Sequence, residues 1–196
     1  MRISALAVVV AVGAALAAGG ALRNVPREPP RRWWLVPLAV VVLATATVLP
    51  VLTVVALVAL VAFAVSNLRM MGMAVVLVGL VLNLAVIVAN GAMPVDPAAV
   101  VAAGLADEDD MEMLALGAAR RWQQPGDRIS ALGDVVPVAA LGEVVSFGDL
   151  ILAAGLADVS FRLLRPARIR SRLAPARRRT AGHGRRSVLS TPSPAR

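Results

Sequence analysis

The chain has no cysteine, no lysine, no tyrosine and a single histidine, His183. Without cysteine there can be no disulfide, no thiolate nucleophile and no cysteine-based metal site. One histidine in a polar tail leaves neither a histidine metal cage nor a Ser-His-Asp arrangement. Aromatic residues are scarce, at 3%. The 20 basic residues are all arginine and face 12 acids, a net charge of +8. These absences remove much of enzyme chemistry, and nothing that remains implies a cofactor or a metal.

What the sequence does have is apolar length. Of its 196 residues 59% are hydrophobic, and the mean hydropathy is +0.78, above the range of soluble domains. Apolar tracts run over 3–22, 33–66, 72–90 and 144–164. As a single helix, 33–66 would be ~50 Å long, too long for a bilayer core of ~30 Å. Pro50 offers a break, which gives 33–48 and 51–67. The expectation is an all-α polytopic membrane protein with about five transmembrane helices, near 3–22, 33–48, 51–67, 72–90 and 144–164. A membrane domain over 1–165 would then contain an extracytoplasmic helical insert, 91–143, followed by a disordered arginine-rich tail, 166–196.

Charge sets the expected orientation. The 23–32 loop has four arginines and one acid, and 162–196 has eleven arginines and no acid. Segment 91–143 has nine acids against three arginines. By the positive-inside rule the N-terminus lies outside and the C-terminus inside a bacterial cytoplasmic membrane. The first tract also resembles a signal peptide. Its cleavage would leave the basic 23–32 loop outside, so an uncleaved helix is expected.

In the insert, "VDPAAVVAAG" predicts a short helix with Asp96 as N-cap, Pro97 at the first position and Gly104 as the stop. "DEDDMEMLALGAARRW" predicts another, with acids in the first turn and Arg120 and Arg121 in the last, matching the helix dipole. Its acids lack the spacing of a calcium loop. The tail has too few large apolar residues to fold alone. Arg165, Arg168, Arg170, Arg172, Arg177, Arg178 and Arg179 are expected to contact anionic lipids. No aromatic follows Phe161 to stack on bases, which argues against nucleic acid.

Polar groups within apolar tracts are the default places to look for function. Asn83 and Asn90 fall within ~20° of each other on one helical face, as binding candidates or as interhelical hydrogen-bond partners. Asp149 and Asp158 are nine residues apart and point to opposite sides. Asp158 precedes Arg162 by four, the order of a helical ion pair. "SFGD" reads as a capping box from Ser146 to Asp149, so Asp149 is a structural cap or a functional carboxylate. An outer polar layer of Asn90, Asp149 and Asp134 is expected.

The run "NGAMPVDPAAVVAAGL", with "LGDVVPV" and "VVSFGDLILAAG", resembles a bacterial integral-membrane family catalogued as domain of unknown function 5317. That resemblance covers roughly 1–165 and implies no activity. "VVSFGDLILAAG" is also similar to the last motif of signal peptidase II. This likeness implies Asp149 and Asp134 as a catalytic dyad, although Phe147 stands where the motif has asparagine. The leading expectation is a non-enzymatic membrane protein that binds a protein partner or an apolar ligand through its polar layer. The alternatives are an aspartate-dependent hydrolase and a small transporter.

Overall fold

In a computed structural model, residues 2–45, 51–117 and 119–165 are described. The break expected at Pro50 and the tail from 166 onward lie outside them. Four apolar helices come first: α1 (Arg2–Ala17), α2 (Leu35–Thr45), α3 (Val51–Ser66) and α4 (Met73–Asn90). A small sheet region follows, with β1 (Met93–Val95), α5 (Pro97–Ala102), β2 (Arg120–Trp122), β3 (Asp134–Val138) and β4 (Glu143–Ser146). The last helix is α6 (Phe147–Leu164).

The helices pack in the order α1, α6, α4, α3, α2. Valine-rich helices have modest intrinsic propensity, so tertiary packing has to hold them. Glycines make the central contact possible. A Cβ on Gly79 would lie 2.6 Å from the Leu152 amide nitrogen, and one on Gly155 2.6 Å from that of Val76. With hydrogen in place of a side chain, α4 and α6 approach backbone to backbone. The buried apolar cluster there includes Ala64, Met73, Val76 and Leu80.

The sheet overturns the all-α expectation. It has four strands in the order β2-β1-β3-β4. β1 runs parallel to β2 and β3, and β4 pairs antiparallel with β3. Met93 N donates to Ala119 O and Val95 O accepts from Gln123 N, so the missing N–H of Pro94 faces β3. Pairing of β1 with β3 is accordingly reduced to Val95 with Asp134. Strands of three to five residues are too short to display an alternating pattern in sequence.

The five-span expectation is overturned too. Among the described residues only Met73–Asn90 is both long and apolar enough to cross a membrane. α1 and α3 have 16 residues each and α2 has 11. α6 has 18, but these include Asp149, Asp158 and Arg162. Hydropathy overran α1 because Gly19, at φ 79°, turns the chain while the sequence stays apolar. The tract 144–164 also overran, since its first three residues belong to β4. In the insert, the helix after Asp96 is present, with Ala98 N donating to Asp96 Oδ1 at 3.0 Å. The acidic helix is not. Glu108–Met113 forms a 3-10 turn, and Arg120 and Arg121 begin β2.

The folded body has two chemically distinct ends. Ala21 N donates to Leu164 O, and Arg31 N to Asn67 Oδ1 at 2.8 Å, which gathers the arginine-bearing turns together. At the other end Ile3 N donates to Glu143 Oε2 at 3.3 Å, beside the sheet.

Candidate functional site

Where β4 runs into α6, the capping box read from "SFGD" is formed. Asp149 N donates to Ser146 Oγ at 3.0 Å, and Ser146 N reaches back to Asp149 Oδ2 at 3.5 Å. Asn83 of α4 completes this corner. Its Nδ2 donates to Asp149 Oδ1 at 2.7 Å and its Oδ1 accepts from Ser146 Oγ at 2.9 Å. Both Asp149 oxygens are therefore occupied. Gly148 is required beside them, because any Cβ there would run into the Asn83 side chain. Asn83 and Ser146 are buried, and their interlocking hydrogen bonds with Asp149 fix one geometry, here the register of α6 on α4.

Asp134 lies next to this corner, since β3 and β4 pair Asp134 with Ser146. It is 1% exposed, and neither carboxyl oxygen accepts a hydrogen bond. Arg120 Nε stands 2.9 Å from Oδ2, close enough for an ion pair but out of hydrogen-bond alignment. Burial pushes the Asp134 carboxyl up to about 7. The Arg120 charge opposes that rise and the Asp149 charge adds to it, with smaller opposed contributions from the amino terminus and Glu143.

Asn90 does not join this layer. Its Nδ2 donates to Val86 O and Arg128 O, and its Oδ1 accepts from Arg128 N at 2.8 Å. It pins the 128 loop to the end of α4. Nearby, Arg121 pairs with Asp127, and that hydrogen bond is the main cause holding the Asp127 carboxyl below the usual range. Asp158 forms the expected pair with Arg162, Nε to Oδ1 at 2.7 Å. The Arg165 guanidinium lies 4.5 Å over the Phe161 ring. Arg168, Arg170, Arg172, Arg177, Arg178 and Arg179 lie outside the described residues.

Sequence reasoning missed Arg120, whose place in an apparent helix hid its contact with Asp134. It also missed the Asn83–Asp149 bond. The glycine pair Gly148 and Gly155, seven apart and therefore on one helical face, was the available sign that α6 meets another backbone. Among the described residues, no group of three or more His, Cys, Asp or Glu could hold a metal ion. A shallow apolar groove of about 390 Å³ runs between α1 and α6, with Leu6, Val10, Ala14 and Ala157 in its walls.

The family model described as "Family of unknown function (DUF5317)" matches residues 32–159. The chain belongs to that family. The matched stretch contains α2 to β4, most of α6, and the whole Asn83–Ser146–Asp149 corner with Asp134 and Arg120. No curated protein and no solved structure matches the chain. The likeness to signal peptidase II is not borne out. A catalytic dyad needs two carboxyl groups in hydrogen-bond reach and open to water. Here Asp149 is engaged by Asn83 and the cap, while Asp134 accepts no hydrogen bond and is buried.

Proposed function

We propose that this family member is a membrane-resident binding protein without a catalytic centre. Its apolar helix faces lie against lipid, α4 crosses the bilayer, and the sheet is presented at the outer surface to a partner. One observation carries this reading. Val9, Val10, Val40, Val41, Val51 and Val88 each expose 60–66% of their surface, on helices α1 to α4. Apolar side chains so exposed, on four elements, suit acyl chains rather than water.

Further support comes from the two ends. The arginine-bearing end fits the cytoplasmic side by the positive-inside rule, which places the sheet and its acids outside. The arginines of 166–196 would add attraction to anionic lipid. The apolar groove between α1 and α6 suits an acyl chain, having no polar group to orient anything else.

The test is fractionation of cells expressing the full chain. The protein should pellet with membranes, resist high salt and alkaline carbonate, and dissolve only in detergent. Recovery in the soluble fraction, or release by carbonate, would overturn the reading.

A further inference from the structure

Arg27, Arg31, Arg32 and Arg69 are exposed at the end of the folded body remote from the sheet. Among the described residues none of them has an ion-pair partner. The nearest acid in sequence, Glu28, is exposed in the same loop. Trp33 and Trp34 follow immediately, each 54% exposed. Tryptophan so exposed is costly in water, yet is favoured at the boundary between acyl chains and headgroups.

The loop that holds these groups is built, not loose. Asn67, 5% exposed, receives Arg31 N on its Oδ1 at 2.8 Å and donates to Arg31 O and Phe63 O, each at 2.8 Å. This clamp ties the end of α3 to the turn before α2. Arg32 is held at φ 53°, a left-handed conformation costly for a residue with a Cβ. Leu35 N donates to Arg32 O at 2.9 Å and closes the turn.

Along the chain into α2 come Arg31 and Arg32, then Trp33 and Trp34 in the turn, then Val40 and Val41 within the helix. Phosphate, interface and acyl chain follow in the same order with depth in a bilayer leaflet. We infer that Arg27, Arg31, Arg32 and Arg69, with Trp33 and Trp34 next to Arg32, form a docking surface for the phosphate headgroups of anionic phospholipids. The inference rests on the membrane reading above and adds a lipid preference to it. The arginine-rich tail could supply general attraction. The Asn67 clamp instead fixes this surface at the level of the tryptophans.

Quenching of tryptophan by brominated lipid tests it. Full-length protein with Trp122→Phe, leaving only Trp33 and Trp34, is reconstituted in zwitterionic nanodiscs. Brominated phosphatidylglycerol or brominated phosphatidylcholine is added at equal mole fraction. One arginine near an anionic surface corresponds to about five-fold enrichment, so phosphatidylglycerol should be favoured about five-fold or more. Replacing all four arginines by Gln should bring the preference to about one, and replacing them by Lys should keep most of it.

Equal quenching by the two lipids in the parent protein overturns this inference and leaves the membrane reading standing. So does a preference that survives the four Gln substitutions, which would assign it to the tail. No quenching by either lipid overturns the membrane reading itself. A short RNA should leave the preference unchanged; its loss would assign the surface to nucleic acid instead.

Discussion

Replacing Asp134 by asparagine isolates a single buried ionisation. The carboxyl is 1% exposed and titrates near 7, against an ordinary value of about 3.9. That displacement corresponds to about 4 kcal/mol of preference for the protonated form. The folded protein therefore binds the proton more tightly than the unfolded chain. Stability from this source is full below about pH 4 and is lost as pH rises towards 7. Asparagine keeps the volume and cannot ionise. The melting temperature of wild type minus that of Asp134→Asn, measured in detergent from pH 4.5 to 8, should fall steadily and level off above about 7. Groups shared by both proteins, including the low-titrating Asp127, cancel in the difference. Any fixed cost of the amide beside Arg120 moves the curve without changing its slope. A difference that stays flat with pH, or rises, would refute a buried, proton-binding Asp134.

Three further substitutions probe the neighbouring contacts. Asp149→Ala removes the N3 carboxylate that accepts from the Ser146 amide and from Asn83; a loss of about 1–3 kcal/mol is expected for hydrogen bonds to a charged acceptor, and an unchanged thermal melt would contradict that. Gly155→Ala pushes a methyl group against the Val76 backbone and should cost about 1–3 kcal/mol by overpacking, read as a lower melting temperature in the same detergent. Asn90→Ala releases the loop it brackets, so trypsin should cut after Arg128 several times faster. Equal cutting rates would mean that the bracket does not restrain the loop.

The legible parts of the fold were those with a local chemical cause. Asp96–Pro97 and "SFGD" announce helix starts because a short polar side chain satisfies free amides within three residues. Asp158 and Arg162 are neighbours on any helix. The apolar helices were placed close to where they lie, but their ends were not, since hydropathy contains no stop signal at a turn such as Gly19–Gly20.

The sheet was hidden for a different reason. Its strands are set by long-range pairing, and "RRW" after an acidic run has the charge order of a helix. That error propagated into the site. The apolar tract 144–164 runs on through β4 without a break in hydropathy, which puts Asp149 at the level of Asn90 when span ends are taken from hydropathy. With residues 144–146 in β4, α6 begins lower, and Asp149 meets Asn83 two turns of α4 further down.

The central claim is that the exposed valine faces meet lipid. Since the chain has no cysteine, nitroxide labels can be placed singly at Val40, Val58 and Val78, with Ile129 as a reference beside the sheet. In reconstituted membranes, collision with oxygen should exceed collision with a water-soluble nickel complex at the three valines, and the order should reverse at Ile129. Nickel access at the valines equal to that at Ile129 would place those faces in water and contradict the account.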